Sequence, residues 1–105
     1  MIPEDEAEKA LDFLRESARS VRDICLQARQ RAHKVKYTEG LLVKGMANQN
    51  IPVTLREKHA RADDRYIEAG NEEAEAWAEW ISLQERRDTA RITISLYQSQ
   101  IKDRM

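Results

Sequence analysis

An apolar pattern in alternating steps of four and three residues runs along the first half of the chain. Eleven of its twelve positions carry apolar or small residues, and only Glu39 interrupts it. Such a stripe on one long helix can leave water only by packing along another helix. The twelve positions are Ala7, Leu11, Leu14, Ala18, Val21, Cys25, Ala28, Ala32, Val35, Glu39, Leu42 and Met46.

The pattern and its breaks predict three helices. The first runs over about 5–47 and ends at a turn over 48–54, where Asn-Gln-Asn-Ile-Pro-Val interrupts the helical pattern. Thr54 and Glu57 have the spacing of a capping box, which predicts a short helix over about 55–62. Asp63 or Asp64 is suited to cap the next helix, which extends over about 64–102.

The last predicted helix carries a less regular apolar stripe. Arg91 to Leu96 alternates polar and apolar residues as a strand would, but the chain has no second such segment to pair with it, so a helix is predicted. The stripe itself drifts, which predicts gradual wrapping or a local stutter rather than one strict seam. Ile67, Ala74, Trp77 and Ile81 lie on one side, and Trp80, Leu83, Ala90, Ile94, Tyr97 and Ile101 continue from an adjacent side.

Charge favours folding the two long helices into an antiparallel hairpin. Arg15, Arg22, Arg29 and Lys36 recur every seven residues, whereas Glu68 to Glu79 contains five glutamates and no basic residue. Folding at the turn predicts that Lys36 lies near Glu68 and Arg29 near Glu75, and such pairs set helix orientation more than stability.

A single hairpin leaves apolar surface uncovered, which two hairpins in a four-helix bundle would bury. The predicted fold is therefore all-α: one domain over 1–105, a coiled-coil-like antiparallel helical hairpin with a short connecting helix that dimerises into a bundle. The residues expected on the apolar face for a second copy or another partner are Trp77, Trp80, Ile92 and Leu96.

Composition narrows the class of protein. The formal net charge is −1. Proteins that bind nucleic acid mainly through phosphate contacts are usually clearly basic, and DNA mimics are clearly acidic, so the net charge indicates neither class. A single cysteine provides no disulfide framework, and no apolar run reaches membrane-spanning length. These features predict a soluble cytoplasmic protein with no membrane partner.

Residues that could carry catalysis are scarce. His59 and Asp63 have the spacing of two metal ligands on a helix, but no third ligand is in register. Cys25 is one of the twelve positions of the apolar stripe of the first helix, where a buried thiol is expected. The sequence has no glycine-rich phosphate loop. The sequence predicts no enzyme activity, no metal, no cofactor and no small-molecule substrate.

The basic residues are candidates for binding nucleic acid or a protein partner. Tyr66 or Trp80, if exposed, could stack on bases, whereas neutralisation of the arginines by the glutamates would argue against binding. The candidate basic residues before the turn are Arg15, Arg19, Arg22, Arg29, Arg31, Lys34 and Lys36, and those after it are Arg56, Lys58, Arg61 and Arg65.

Four segments resemble a family of small helical proteins common in tailed-phage genomes. They are Ala10-Leu11-Asp12-Phe13-Leu14, Leu55-Arg56-Glu57-Lys58-His59-Ala60 before Tyr66, Leu83-Gln84-Glu85-Arg86-Arg87, and Ile92-Thr93-Ile94-Ser95-Leu96-Tyr97-Gln98-Ser99-Gln100. In the family the last segment resembles a basic helix end containing Trp; here Tyr97 takes that place and no Arg follows it directly.

Family members tend to be encoded among phage recombination and replication genes. The resemblance therefore implies a non-enzymatic accessory role in DNA metabolism, in the cytoplasm of an infected bacterial host, through a phage or host protein partner or single-stranded DNA. It assigns no binding residue. Two alternatives are an inhibitor of a host nuclease or defence complex that acts by protein contacts alone, and a structural or assembly coiled coil.

Overall fold

The computed structural model describes residues 1–105, and the fold is all-α, a long antiparallel helical hairpin with a short connecting helix. Helix α1 spans Glu4–Met46, a 3₁₀ turn spans Ala47–Gln49, α2 spans Val53–Ala62 and α3 spans Asp64–Asp103. Each lies within two residues of the helix predicted from sequence. None of them combines the length and apolar character needed to cross a membrane.

The connections between helices follow local chemistry. Asn50 closes the 3₁₀ turn at φ 56°, in the left-handed region that asparagine tolerates better than most residues. Asp63 breaks the chain between α2 and α3, and its Oδ1 accepts a hydrogen bond from the backbone N–H of Arg65 at 2.8 Å. Asp63 is therefore the second N-cap expected from sequence.

The predicted capping box at Thr54 and Glu57 does not form. Helix α2 begins at Val53, two residues earlier than predicted, with Pro52 at its N-cap and no side-chain cap hydrogen bond. The backbone N–H of Leu55 donates to the carbonyl of Pro52 at 2.9 Å, so Thr54 lies inside the first turn and cannot cap it.

The chain divides into two compact units. Unit 1 comprises Met1–Ile24 and Glu79–Met105, and unit 2 comprises Cys25–Ala78. In unit 1 the first part of α1 packs antiparallel against the last part of α3. In unit 2 the rest of α1 packs against the start of α3, with α2 alongside.

Ten of the twelve positions predicted for the apolar stripe of α1 are buried or half-buried. The members spaced by seven, Ala7 to Leu42, are buried or half-buried as expected, but Leu11 is 39% exposed and Ala18 is also exposed. Where Leu11 and Ala18 are exposed, in unit 1, the seam uses the residue one position earlier, Ala10 or Ser17, and Ser17 has a partner on α3, as described below. The residues that alternate with the seven-spaced set in the seam are Ala10, Ser17, Ile24, Arg31 and Thr38.

Helix α3 has one strict seam, and the predicted drift is wrong. Ile67 and Ile81, placed on the stripe from sequence, are 48% and 54% exposed. The drift arises only when the polar seam residues Glu73 and Arg87 are left out of the pattern. Ten of the buried or half-buried positions follow each other in uninterrupted steps of three and four: Tyr66, Ala69, Glu73, Ala76, Trp80, Leu83, Arg87, Ala90, Ile94 and Tyr97.

The core is thin. The buried side chains are alanines, two leucines and one serine, and no large side chain is completely buried. The accessible surface of 8075 Å² exceeds the roughly 6,100 Å² typical of a folded monomer of 12.2 kDa. Part of that surface is apolar, since large side chains such as Leu26, Ile81 and Ile92 are more than half exposed.

Candidate macromolecule-binding surfaces

Arg15, Arg19 and Arg22 in unit 1 are free basic side chains. All three are exposed on α1, and none makes an ion pair. Arg15 and Arg22 share one flank of the helix, about 10 Å apart at seven residues. Unit 1 therefore offers a short basic flank open to an anionic partner.

In unit 2 the ion pairs predicted from sequence are replaced by others. Arg31 Nη1 and Lys34 Nζ both contact Oε2 of Glu72, at 3.2 and 2.9 Å. The hydrogen bond from Lys34 is the main cause that lowers the pKa of Glu72 below its ordinary value. The helices are in nearly the expected register, but the basic residues that reach α3 lie on a different side of α1.

Arg29 and Lys36 consequently make no ion pair with Glu75 or Glu68. Both side chains are exposed, and neither makes an ion pair. The neutralisation that would have argued against binding does not occur at these two positions.

The basic residues after the turn are mostly engaged within the chain. Arg56 Nε donates to the carbonyl of Ile51 at 2.9 Å, and Arg61 Nε pairs with Glu39 at 3.3 Å. The hydrogen bond to Glu39 raises the pKa of Arg61. Among the four, only Lys58 is exposed with no hydrogen bond or ion pair to the protein.

Arg65 and Asp63 form a two-pronged ion pair at the start of α3. Arg65 Nε and Nη2 each donate to one carboxylate oxygen at 3.0 Å, which lowers the pKa of Asp63. The Asp63 carboxylate is thereby committed to Arg65, and His59 has no second ligand at the predicted spacing. No group of three or more His, Cys, Asp or Glu side chains is placed to hold a metal ion.

The four residues predicted to share an apolar face do not lie together. Trp77 is half-buried and its Nε1 donates to Glu73 at 3.0 Å, while Trp80 is half-buried in the seam. Ile92 and Leu96, 59% and 55% exposed, lie on the opposite, outer side of α3. Trp80 and Tyr66 are both half-buried in the seam, so neither presents a fully exposed ring for stacking on bases.

Two arginines of unit 1 were not identified as special from sequence. Arg87 Nη1 donates to the carbonyl of Leu14 at 2.8 Å and to the hydroxyl of Ser17, which in turn donates to the carbonyl of Phe13. Arg86 lies over the Phe13 ring, 5.5 Å from its centroid. The steps of three and four through Leu83 and Ala90 would have placed Arg87 in the seam.

Two open grooves of unit 2 lie between its helices. One, of about 310 Å³, lies between α1 and α3 and is floored by Leu42 and Ala69. The other, of about 620 Å³, includes Glu57 and Arg61 of α2 in its wall. Charged side chains line both grooves, with Lys34 and Glu72 in the first and Lys36 and Glu73 in the second.

The fold and these surfaces define an all-α helical hairpin with free basic and apolar faces. Comparison with protein-family models, with curated proteins and with solved structures finds no match.

Proposed function

We propose that the protein is a non-catalytic accessory protein that binds single-stranded DNA through the free basic flank of α1. The observation that carries the proposal is the set of exposed basic side chains without an ion-pair partner. Among the basic residues predicted from sequence, they are Arg15, Arg19 and Arg22 in unit 1, Arg29 and Lys36 on α1 of unit 2, and Lys58 on α2.

The arrangement of these side chains favours a single strand over a duplex. Within unit 1, Arg15 and Arg22 form a line about 10 Å long. A flexible single strand can adjust its phosphates to such a line, whereas a duplex presents them at fixed spacing across two grooves. The resemblance to small phage proteins encoded near recombination and replication genes supports the same role.

Fluorescence anisotropy with labelled single- and double-stranded oligonucleotides, at low and moderate salt, tests this proposal. We expect the single strand to bind more tightly and its affinity to fall steeply with salt, because each phosphate contact releases counterions. Arg15→Gln/Arg22→Gln should lower the slope of log K against log salt by about 1.4, at about 0.7 per contact. The double variant Arg29→Gln/Lys36→Gln tests unit 2 in the same way.

The matched control is Arg91→Gln/Lys102→Gln, which changes net charge equally on α3, where Arg91 already pairs with Asp88. We expect its salt slope to equal that of the wild type. Absence of binding at low salt, or an equal loss in the control, would rule out the basic flank as a DNA site.

A second candidate is binding of a protein partner, such as a host nuclease or defence complex, without DNA. Ile92 and Leu96 favour it, because they are exposed apolar side chains one turn apart on the outer side of α3. Ile92→Asp/Leu96→Asp should abolish capture of such a partner and leave DNA affinity unchanged. If high salt abolishes capture of the partner and the two substitutions do not, the basic flank and not the apolar pair binds the partner.

A further inference from the structure

Unit 2 exposes two large side chains on the side of α1 that α2 leaves open. Lys36, Glu39 and Val43 share a groove with residues of α2, whereas the groove of Leu41 includes residues of α1 and α3 only. Leu41 is 52% exposed, and Tyr37, one turn before it, is 68% exposed. We call this side the Leu41 face: Lys34, Tyr37, Leu41 and Lys44 of α1, with Arg65, Glu68, Glu72 and Glu75 of α3.

Charge is segregated across the Leu41 face. The α1 strip carries basic and apolar residues, whereas the α3 strip carries three glutamates, with Arg65 at one end. Glu72 is satisfied within the chain by Lys34 and Arg31. Lys44, Glu68 and Glu75 are exposed and make no ion pair, so each strip retains charge that the other strip of the same chain does not reach.

The groove between the strips can accept an apolar side chain. It measures about 310 Å³, and its floor is made by Leu42 and Ala69, which are 9% and 3% exposed. Glu68 and Glu72 stand at its rim. An incoming strip that carries an exposed leucine or tyrosine beside a lysine matches this groove in both polarity and charge.

The α1 strip of the protein itself has these properties. We propose that the Leu41 face is an interface between two copies of the chain, related by a twofold axis parallel to the helices. Each α1 strip then lies on the α3 strip of the other copy, which covers Tyr37 and Leu41 and sets Lys34 opposite the acidic strip. The alternative twofold arrangement, α3 on α3, sets three glutamates against three and is disfavoured by repulsion.

Sedimentation equilibrium tests the interface through two leucines of equal exposure on the same helix. Leu41 and Leu26 are each 52% exposed, but Leu26 lies on the outer side of α1. We expect a dimer for the wild type and for Leu26→Asp, and at least a tenfold weaker dimer for Leu41→Asp. A monomeric wild type at about 100 μM, or equal weakening by both substitutions, would overturn the proposal.

Circular dichroism of each variant separates dissociation from unfolding. If Leu41→Asp loses helicity, Tyr37→Glu replaces it, because Tyr37 is the more exposed side chain and contributes less to the fold. A dimer constant unchanged by Tyr37→Glu would then contradict the interface. DNA affinity plays no part in these measurements, so failure of the DNA proposal leaves them unaffected.

Disulfide trapping in a Cys25→Ser background tests the arrangement of the two copies. Tyr37→Cys and Glu68→Cys should cross-link when the two variants are mixed, since one lies on each strip at a similar height. Neither should cross-link alone. Cross-linking of Tyr37→Cys with itself, or no cross-link in the mixture, would refute the pairing of α1 with α3 of the second copy.

Discussion

The two units hold α1 to α3 by different chemistry. In unit 2, Arg31 and Lys34 pair with Glu72 across the helices, and α2 is tied to α1 by Arg61 and Glu39. In unit 1 no ion pair joins α1 to α3, since its one ion pair lies within α3. Neutral acceptors replace carboxylates there, as Arg87 donates to a backbone carbonyl and a hydroxyl.

This difference determines how each unit responds to solution conditions. Exposed ion pairs are screened by salt and are lost when their carboxylate is protonated, whereas hydrogen bonds to carbonyl and hydroxyl oxygens do not titrate. Unit 2 also contains all three glycines of the chain, so its helices have the lower intrinsic propensity. Unit 2 is therefore the unit that acid, salt and helix-stabilising substitutions should affect.

The largest expected effect is in the apolar core of unit 1. Leu83 is 3% exposed, and Leu83→Ala should lower the free energy of unfolding by about 2–4 kcal/mol, because it removes buried methyl groups and leaves a cavity. Ile81, two residues away and 54% exposed, supplies the control. Urea denaturation that gave equal losses for Leu83→Ala and Ile81→Ala would refute the assigned seam.

Removal of the neutral hydrogen bonds in unit 1 should have the next largest effect. Arg87→Met deletes the donor to Leu14 and Ser17 and should cost about 1–3 kcal/mol, since hydrogen bonds from a charged donor are strong and Ser17 is buried. The loss should be the same at low and high salt. A loss that shrank with salt would show that Arg87 acts through long-range charge, as an ion pair does.

A substitution that raises helix propensity in unit 2 should stabilise the protein, by less than the two preceding substitutions destabilise it. A Cβ added at Gly45 meets no atom within 4 Å, and the residue has a negative φ. Gly45→Ala should therefore raise the free energy of unfolding by about 0.5–1 kcal/mol, measured by urea denaturation. A destabilised variant would mean that the end of α1 needs the freedom of glycine.

The helices and their boundaries could largely be predicted from residues that favour or end a helix. The seven-spaced apolar set of α1, the break around Pro52 and the aspartate before α3 place the helices to within two residues. The strand-like alternation of Arg91 to Leu96 does not alter this, because an isolated strand has no partner and α3 continues through it.

The seam could not be predicted from apolar residues alone. Ser17 and Arg31 lie in it because Arg87 and Glu72 on the partner helix satisfy them, and in unit 1 the choice between Ser17 and Ala18, one residue apart, decides which side of α1 faces α3. The side of α1 that faces α3 also determines which basic side chains are free. It brings Arg31 and Lys34 to Glu72 and leaves Arg29 and Lys36 free, a division that depends on both helices at once.

The smallest expected effect concerns acid and separates the two units most directly. The pKa of Glu72 is lowered from its ordinary value of 4.5, chiefly by the hydrogen bond from Lys34. Its contribution to stability is thus fully present above that ordinary value and is lost as pH falls through the lowered pKa. Glu72→Gln should therefore lose less stability than the wild type between about pH 7 and about pH 3.

Urea denaturation at both pH values measures this difference. The control is Glu16→Gln, because Glu16 is an exposed carboxylate of unit 1 without an ion pair. If the loss for Glu72→Gln matches those of the wild type and Glu16→Gln, the ion pairs of unit 2 contribute nothing measurable. The contrast between the two units would then be one of geometry and not of energy.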